Sequence, residues 1–172
     1  RDEGGAIVLG RMEQPLPRPE PYPDPDSLFA ALGIEGSLLP VETYDNGVRH
    51  TFVALGSDEE VAALRPDFAA LASLEVLANC FAGSGTSWKT RMFAPSSGVP
   101  EDPATGSAAG PLACHVCRHG LVEWGTEIVI SQGAELGRPS TLYARAEGEN
   151  GSIERVEVGG RAVVVARGEF RL

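Results

Sequence analysis

Apolar and polar positions alternate in short blocks along most of this 172-residue chain, and helical spacing is confined to a few stretches. Residues 6–14 read as a strand, with Ile7, Val8, Leu9 and Met12 apolar. Proline then recurs at 15, 17, 19, 21, 23 and 25. Because proline has no N–H to give, this run is expected to break both ladder and helix and to act as an extended connector. The reading divides the chain into 1–25, a terminal strand and connector, and 26–172, a compact unit. That unit opens with a predicted helix over 26–33, capped by Asp26, with Leu28, Ala31 and Leu32 on one face and Gly33 as terminator.

Residues 38–44 and 48–55 read as strands joined at Asp45-Asn46-Gly47, a hairpin signal. Ser57 and the pair Pro66, Asp67 each start a short outer helix. Strands follow over 76–82 and 88–94, then a loop over 95–105 and a helix over 108–118. Four more strand-like runs are expected at 127–132, 140–147, 153–158 and 162–172. The pattern predicts an α+β fold, many strands around one helix with antiparallel pairing where the runs alternate, and not a repeating strand–helix alternation.

Composition adds exclusions. The length suits one ordinary domain or two small halves and is enough to bury a core without metal or disulfide staples. A formal charge of −10 would repel a polyanion, so nucleic acid is not an expected partner. The apolar runs are far too short to span a bilayer, and no membrane partner is expected. Three cysteines and an opening without a signal-like pattern point to a thiol-reduced, cytoplasmic setting. Arg1 in place of an initiator Met implies a polypeptide trimmed at its N-terminus.

The candidate chemistry lies in Glu101-Asp-Pro-Ala-Thr-Gly-Ser107. Pro103 holds Asp102 on extended backbone, Thr105 or Ser107 is placed to cap the following helix, and Gly106 lets backbone approach a ligand. Pro111 is expected in the tolerant first turn. Free N–H groups and the helix dipole would favour a carboxylate or phosphate there, with Gly110, Ala108 and Ala109 leaving the approach open. Asp102 is then placed for proton exchange with a small anionic substrate, given a suitable environment. The competing reading is that Asp102 and Ser107 merely cap a buried helix.

Arg91-Met-Phe-Ala-Pro95, Gly98, the run from Glu101 to Ala113, and Gln132-Gly-Ala-Glu-Leu-Gly-Arg-Pro-Ser140 closely resemble the PhzF-like isomerases of phenazine biosynthesis, relatives of diaminopimelate epimerase. The resemblance spans residues 6–172 and corresponds to the last strand of the family's N-terminal half followed by its C-terminal half. It implies two similar half-domains, each a strand barrel around a central helix, with substrate in the cleft between them. It further implies cofactor-free isomerisation or epimerisation of a small cyclic or amino-acid-like carboxylate. By position, Asp102 is similar to the family's catalytic acid, and Gly106 and Ser107, with Thr105, to its substrate-binding helix start. Glu101 would support the loop, and Gln132, Gly133, Gly137 and Arg138 would serve turns and packing. The family's principal catalytic glutamate and a substrate-binding histidine belong to the N-terminal half, so this chain alone is expected to be inactive.

Cys114, His115, Cys117 and His119 have zinc-compatible spacing, but there is no second cysteine pair and Cys80 lies in another strand. Structural thiols are expected, with no metal and no cofactor. Asp102 stands where a thiol-dependent epimerase would carry cysteine. His50, in a strand, reads as a surface or packing residue. The expected partner is the missing N-terminal half or a second copy, since an unpaired strand edge seeks pairing. The alternative function is a non-catalytic half-domain that binds or sequesters a small molecule.

Overall fold

The computed structural model describes residues 9–161, 166, 168 and 169. Ten strands form one curled sheet: β1 (Gly10–Glu13), β2 (Arg18–Pro21), β3 (Glu42–Asp45), β4 (Arg49–Ala54), β5 (Ala78–Ser84), β6 (Ser87–Ala94), β7 (Val99–Asp102), β8 (Glu127–Gln132), β9 (Ser140–Glu149) and β10 (Ser152–Gly160). The path across it is β1-β10-β9-β8-β6-β5-β4-β3-β2, with β7 added on β6. Four helices accompany it: α1 (Pro25–Leu32), α2 (Asp58–Ala63), α3 (Phe68–Ser73) and α4 (Gly106–Arg118).

The α+β expectation holds, but the sheet is mixed instead of purely antiparallel. β4 pairs parallel with β5 and β6 parallel with β8. Parallel neighbours need a crossover, and the chain supplies two: α2 and α3 between β4 and β5, then β7 and α4 between β6 and β8. Among the described residues the path ends at β1 and β2, an open curl and not a closed barrel. The strand expected at 162–172 lies outside the described residues.

The proline run also differs from expectation, since β2 forms within it and pairs with β3. On a strand, N–H groups two residues apart point the same way. Tyr22 N–H donates to the Val41 carbonyl at 2.9 Å, so the even positions face β3 and Pro19 and Pro21 face outward from an edge, where no donor is needed. Likewise, the cap of α1 is Asp24, accepting from Ser27 N–H at 3.2 Å, with Pro25 in the first turn; Asp26 does not cap it. Gly33 ends it in the left-handed region, φ 73°.

Period-2 alternation sorts the apolar residues onto the two faces. On β4, Phe52 and Ala54 join the core around α4, while Val53 joins the core under α1, α2 and α3. On β5, Phe81 faces α4, whereas Cys80 and Ala82 face the outer helices. α4 packs on β9, β10 and β4 and is buried from Ala108 to Cys117. The curled sheet thus wraps one helix and leaves the start of that helix at a rim.

Candidate active site at the start of the central helix

Four strand positions on the α4-facing side carry buried polar residues in place of apolar ones: His50 on β4, Asn79 on β5, Thr90 on β6 and Gln132 on β8. They sit at the end of the sheet where α4 begins. A polar group taken from water without a partner costs roughly 1–3 kcal/mol, so these groups are expected to be paired. Three of them bond around the helix start. The Gln132 amide is a double latch: Oε1 accepts from Thr105 N–H at 3.1 Å, and Nε2 donates to Thr105 Oγ1 at 2.8 Å and to the Asp102 carbonyl at 2.6 Å. His50 Nε2 lies 3.0 Å from Ser107 Oγ, and Asn79 Nδ2 lies 3.3 Å from His50 Nδ1.

Asp102 ends β7, a strand that forms inside the stretch read as loop. Its carboxylate accepts a 2.6 Å bond from the Thr105 hydroxyl. Thr105 is the residue preceding α4, but its side chain makes no capping bond to the helix. Ser107 is committed to His50. The capping reading of Asp102 and Ser107 is therefore corrected: Asp102 bonds to Thr105 and Ser107 to His50, and the first-turn N–H groups receive no cap from Thr105. Gly106 is exposed beside them, and Ser107 is half-buried. A hollow of about 780 Å³ adjoins the helix start, bounded in part by Ala104, Gly106, Thr141, Tyr143 and Gly160. Asp102 is not among the residues that line it.

Two further readings change. Pro111 is the sixth residue of α4, beyond the first turn, so it deprives the Ser107 carbonyl of its helical donor. The hairpin tip replaces that donor, because Asn46 Nδ2 reaches the same carbonyl at 2.9 Å. Gly110, Ala108 and Ala109 are buried and do not open a ligand path. The space at Gly110 is filled by Gln14 and Val156, and Gln14 Nε2 donates to the Gly106 carbonyl at 2.9 Å. Hairpin and connector both grip the first turns of α4.

Electrostatics distinguish His50. Burial pushes its pKa down to about 4, opposed in part by the nearby Asp102 carboxylate, so the ring is neutral at pH 7. Sequence reading missed this residue. The signal was present as its even-position register with Phe52 and Ala54, which points it inward. Glu101 acts through Arg91, whose guanidinium grips the carboxylate with two 2.8 Å bonds and also donates to carbonyls of Val61, Ala62 and Leu64. That anchors β7 to the end of α2.

The thiols lie elsewhere. Burial pushes Cys80 and Cys114 up to about 12 and Cys117 up to about 11, so all three stay protonated at neutral pH. His115 and His119 meet a residue the sequence did not suggest, Glu42 of β3, and their ligand atoms lie within 4.8 Å of one another. The same carboxylate oxygen also receives Arg118 and the Tyr44 hydroxyl, each at 3.0 Å. A cation there would have to displace the guanidinium.

Fold and rim together define an α+β protein whose buried central helix presents its start, with an adjacent carboxylate, at the edge of a curled sheet. Residues 1–168 match the PhzC-PhzF family, phenazine biosynthesis-like proteins, and the chain belongs to that family. It is 50% identical over 171 residues to a trans-2,3-dihydro-3-hydroxyanthranilate isomerase of Pseudomonas aeruginosa, covering 99% of this chain and 62% of that protein. A Pseudomonas fluorescens protein of the same name is 48% identical over the same length, with the same coverage. A PhzF-family phenazine biosynthesis protein of Enterococcus faecalis superposes with a TM-score of 0.69 at 30% identity, over 96% of this chain and 58% of that one. A Bacillus anthracis protein of that family gives 0.75 at 20% identity, over 99% and 63%, a likeness of fold alone. The chain spans about 62% of the length of these curated relatives. No helix among the described residues is long and apolar enough to cross a membrane.

Proposed function

We propose that this chain forms one wall of the active cleft of a cofactor-independent isomerase acting on trans-2,3-dihydro-3-hydroxyanthranilate or a close analogue. The substrate carboxylate docks on the N–H groups at Gly106 and Ser107, with the Ser107 and Thr105 hydroxyls beside them. Asp102 hydrogen-bonds the reacting part of the ring and assists proton transfer. An isomerisation conserves the atoms of its substrate, so a proton lifted from one carbon and returned to another balances the reaction without an external oxidant or reductant. The observation that carries this reading is the uncapped start of α4 beside a carboxylate that, among the described residues, accepts from a neighbouring hydroxyl alone.

The opposite wall comes from the family's N-terminal half, with its catalytic glutamate and substrate-binding histidine. The two-half, diaminopimelate-epimerase-like cleft and the split of this chain at 1–25 and 26–172 are parts of the same proposal. A second copy that faces the first, making a homodimer, is the other way to close the cleft. The test is solvent-deuterium incorporation into trans-2,3-dihydro-3-hydroxyanthranilate during isomerisation. The chain alone should give none, and the chain supplied with the N-terminal half of the Pseudomonas aeruginosa relative should incorporate one deuterium per turnover. Turnover by the chain alone as a monomer would refute the two-wall arrangement, and turnover as a dimer would make the second copy the opposite wall. Tight substrate binding without turnover in the reconstituted form would favour a binding protein instead.

A further inference from the structure

Among the described residues His50 is the one fully buried titratable group that reaches the proposed site, and its role follows from which ring nitrogen carries the proton. The Asn79 amide is oriented by two contacts of the same nitrogen: Nδ2 donates to the Leu77 carbonyl at 3.1 Å and lies 3.3 Å from His50 Nδ1. An amide nitrogen has no lone pair to offer, so Nδ1 must be the acceptor. In a neutral ring the proton then sits on Nε2, which faces Ser107 Oγ at 3.0 Å. The hydroxyl oxygen accepts that proton, and its own O–H is left to point elsewhere.

We propose that His50 is a positioning residue: fixed by Asn79 in its Nε2–H form, it turns the Ser107 hydroxyl proton toward the substrate side of the rim, making Ser107 a donor to the bound carboxylate. This rests on the isomerase reading for its catalytic consequence, but the orientation itself is a property of the chain. Were the ring protonated on Nδ1 instead, Ser107 would donate to His50 and offer the substrate only a lone pair, which a carboxylate repels. The strong downward displacement of the His50 pKa agrees with a ring that stays neutral throughout the working range.

Two experiments separate orientation from catalysis. Ring-nitrogen NMR on this chain should show His50 with Nδ1 bare and Nε2 protonated at pH 7. A doubly protonated ring, or the reverse tautomer, overturns the proposal whatever the enzyme does. In the form that turns over in the deuterium assay, His50→Asn keeps a group near Nδ1 but does not reach Ser107, and kcat should fall about tenfold, the value of one lost hydrogen bond. His50→Gln extends an amide N–H toward Ser107 and should recover most of that loss. Both replacements remove the same imidazole, so a merely structural role would damage both alike, and equal kcat for the two would overturn the proposal. In a Ser107→Ala background His50→Asn should cost less than about twofold, because the hydroxyl it positions is gone. A full tenfold cost there would show that His50 acts by another route. No turnover in the unsubstituted form would sink the isomerase reading and leave the NMR result to decide the orientation.

Discussion

The two ends of α4 are both polar, yet they are built in opposite ways. At its start the polar groups are short, neutral or singly bonded: Thr105 on Asp102, Ser107 on His50, and Gln132 as the latch. At its end the Glu42 carboxylate is saturated by Tyr44, His115, Arg118 and His119. Burial alone would raise the Glu42 pKa, but the bonds from His115 and His119 with the Arg118 charge outweigh it and hold the carboxylate well below its ordinary range. One end keeps hydrogen-bonding capacity for something not yet there, and the other turns its carboxylate wholly inward, with His115 Nε2 and Arg118 Nε left buried and unpartnered behind it. The difference teaches that a cluster of titratable side chains is by itself a poor guide to a site. The end richer in His, Glu and Arg is the closed one.

The widest way to separate the ends is to change the carboxylate at each. Asp102→Asn should reduce turnover of the reconstituted isomerase at least a hundredfold, within the usual range for a proton-transfer group, and should leave Tm nearly unchanged, since Asn still accepts from Thr105. A drop in Tm without loss of kcat would return Asp102 to a structural role. Glu42→Ala should do the reverse. It leaves Arg118 and two histidines facing a vacated pocket, and breaking such a partly buried network costs about 4 kcal/mol. Denaturant unfolding would read that loss, with kcat per folded molecule little altered.

Acid separates the ends by pH window. The unfolded chain takes up a proton at His50 near its ordinary value of 6.5, whereas the folded chain does so near 4. Between these values the unfolded state holds more protons, so the stability from keeping His50 neutral is complete above 6.5 and is lost as pH falls toward 4, at most about 3 kcal/mol. His115, also lowered by burial, adds a loss of the same sign from the other end. Glu42, with its lowered folded pKa, contributes stability that is present above 4.5 and fades only as pH drops below that. Unfolding free energy measured from pH 7.5 to 3.5 should therefore decline in two stages. His50→Gln should shrink the first stage and spare the second; an unchanged profile would mean that His50 is solvated.

The contrast also explains what the chain made legible. Elements declared by local signals were readable in advance: the Asn46-Gly47 hairpin, the Ser57 and Asp67 caps, and the strand at 127–132. So was the helix start that follows Asp102, because the proline-held acid and the Gly106 turn into α4 are contiguous. The parallel pairings were not readable, since period-2 alternation carries no strand direction. β2 was hidden because proline's veto applies to one edge of a strand and not to both. His50 and Asn79 could not be joined to Ser107, nor Glu42 to His115, because contacts 57 and 73 residues apart exist only once the sheet has curled around α4.

The smallest test concerns the grip of the hairpin on the helix start. Pro111 removes the donor that the Ser107 carbonyl would have found within α4, and Asn46 stands in for it. Asn46→Ala should leave that part-buried carbonyl unpaired and cost about 1 kcal/mol. Pro111→Ala supplies an N–H in the helical position, so the same Asn46 substitution made in that background should cost well under half as much. Non-additivity of that sign, read from denaturant midpoints of the four proteins, would show one acceptor served by two alternative donors. If instead the two losses simply add, the Asn46 bond does not compensate for the proline, and the rigidity of the first turn must come from Gln14 on the Gly106 carbonyl.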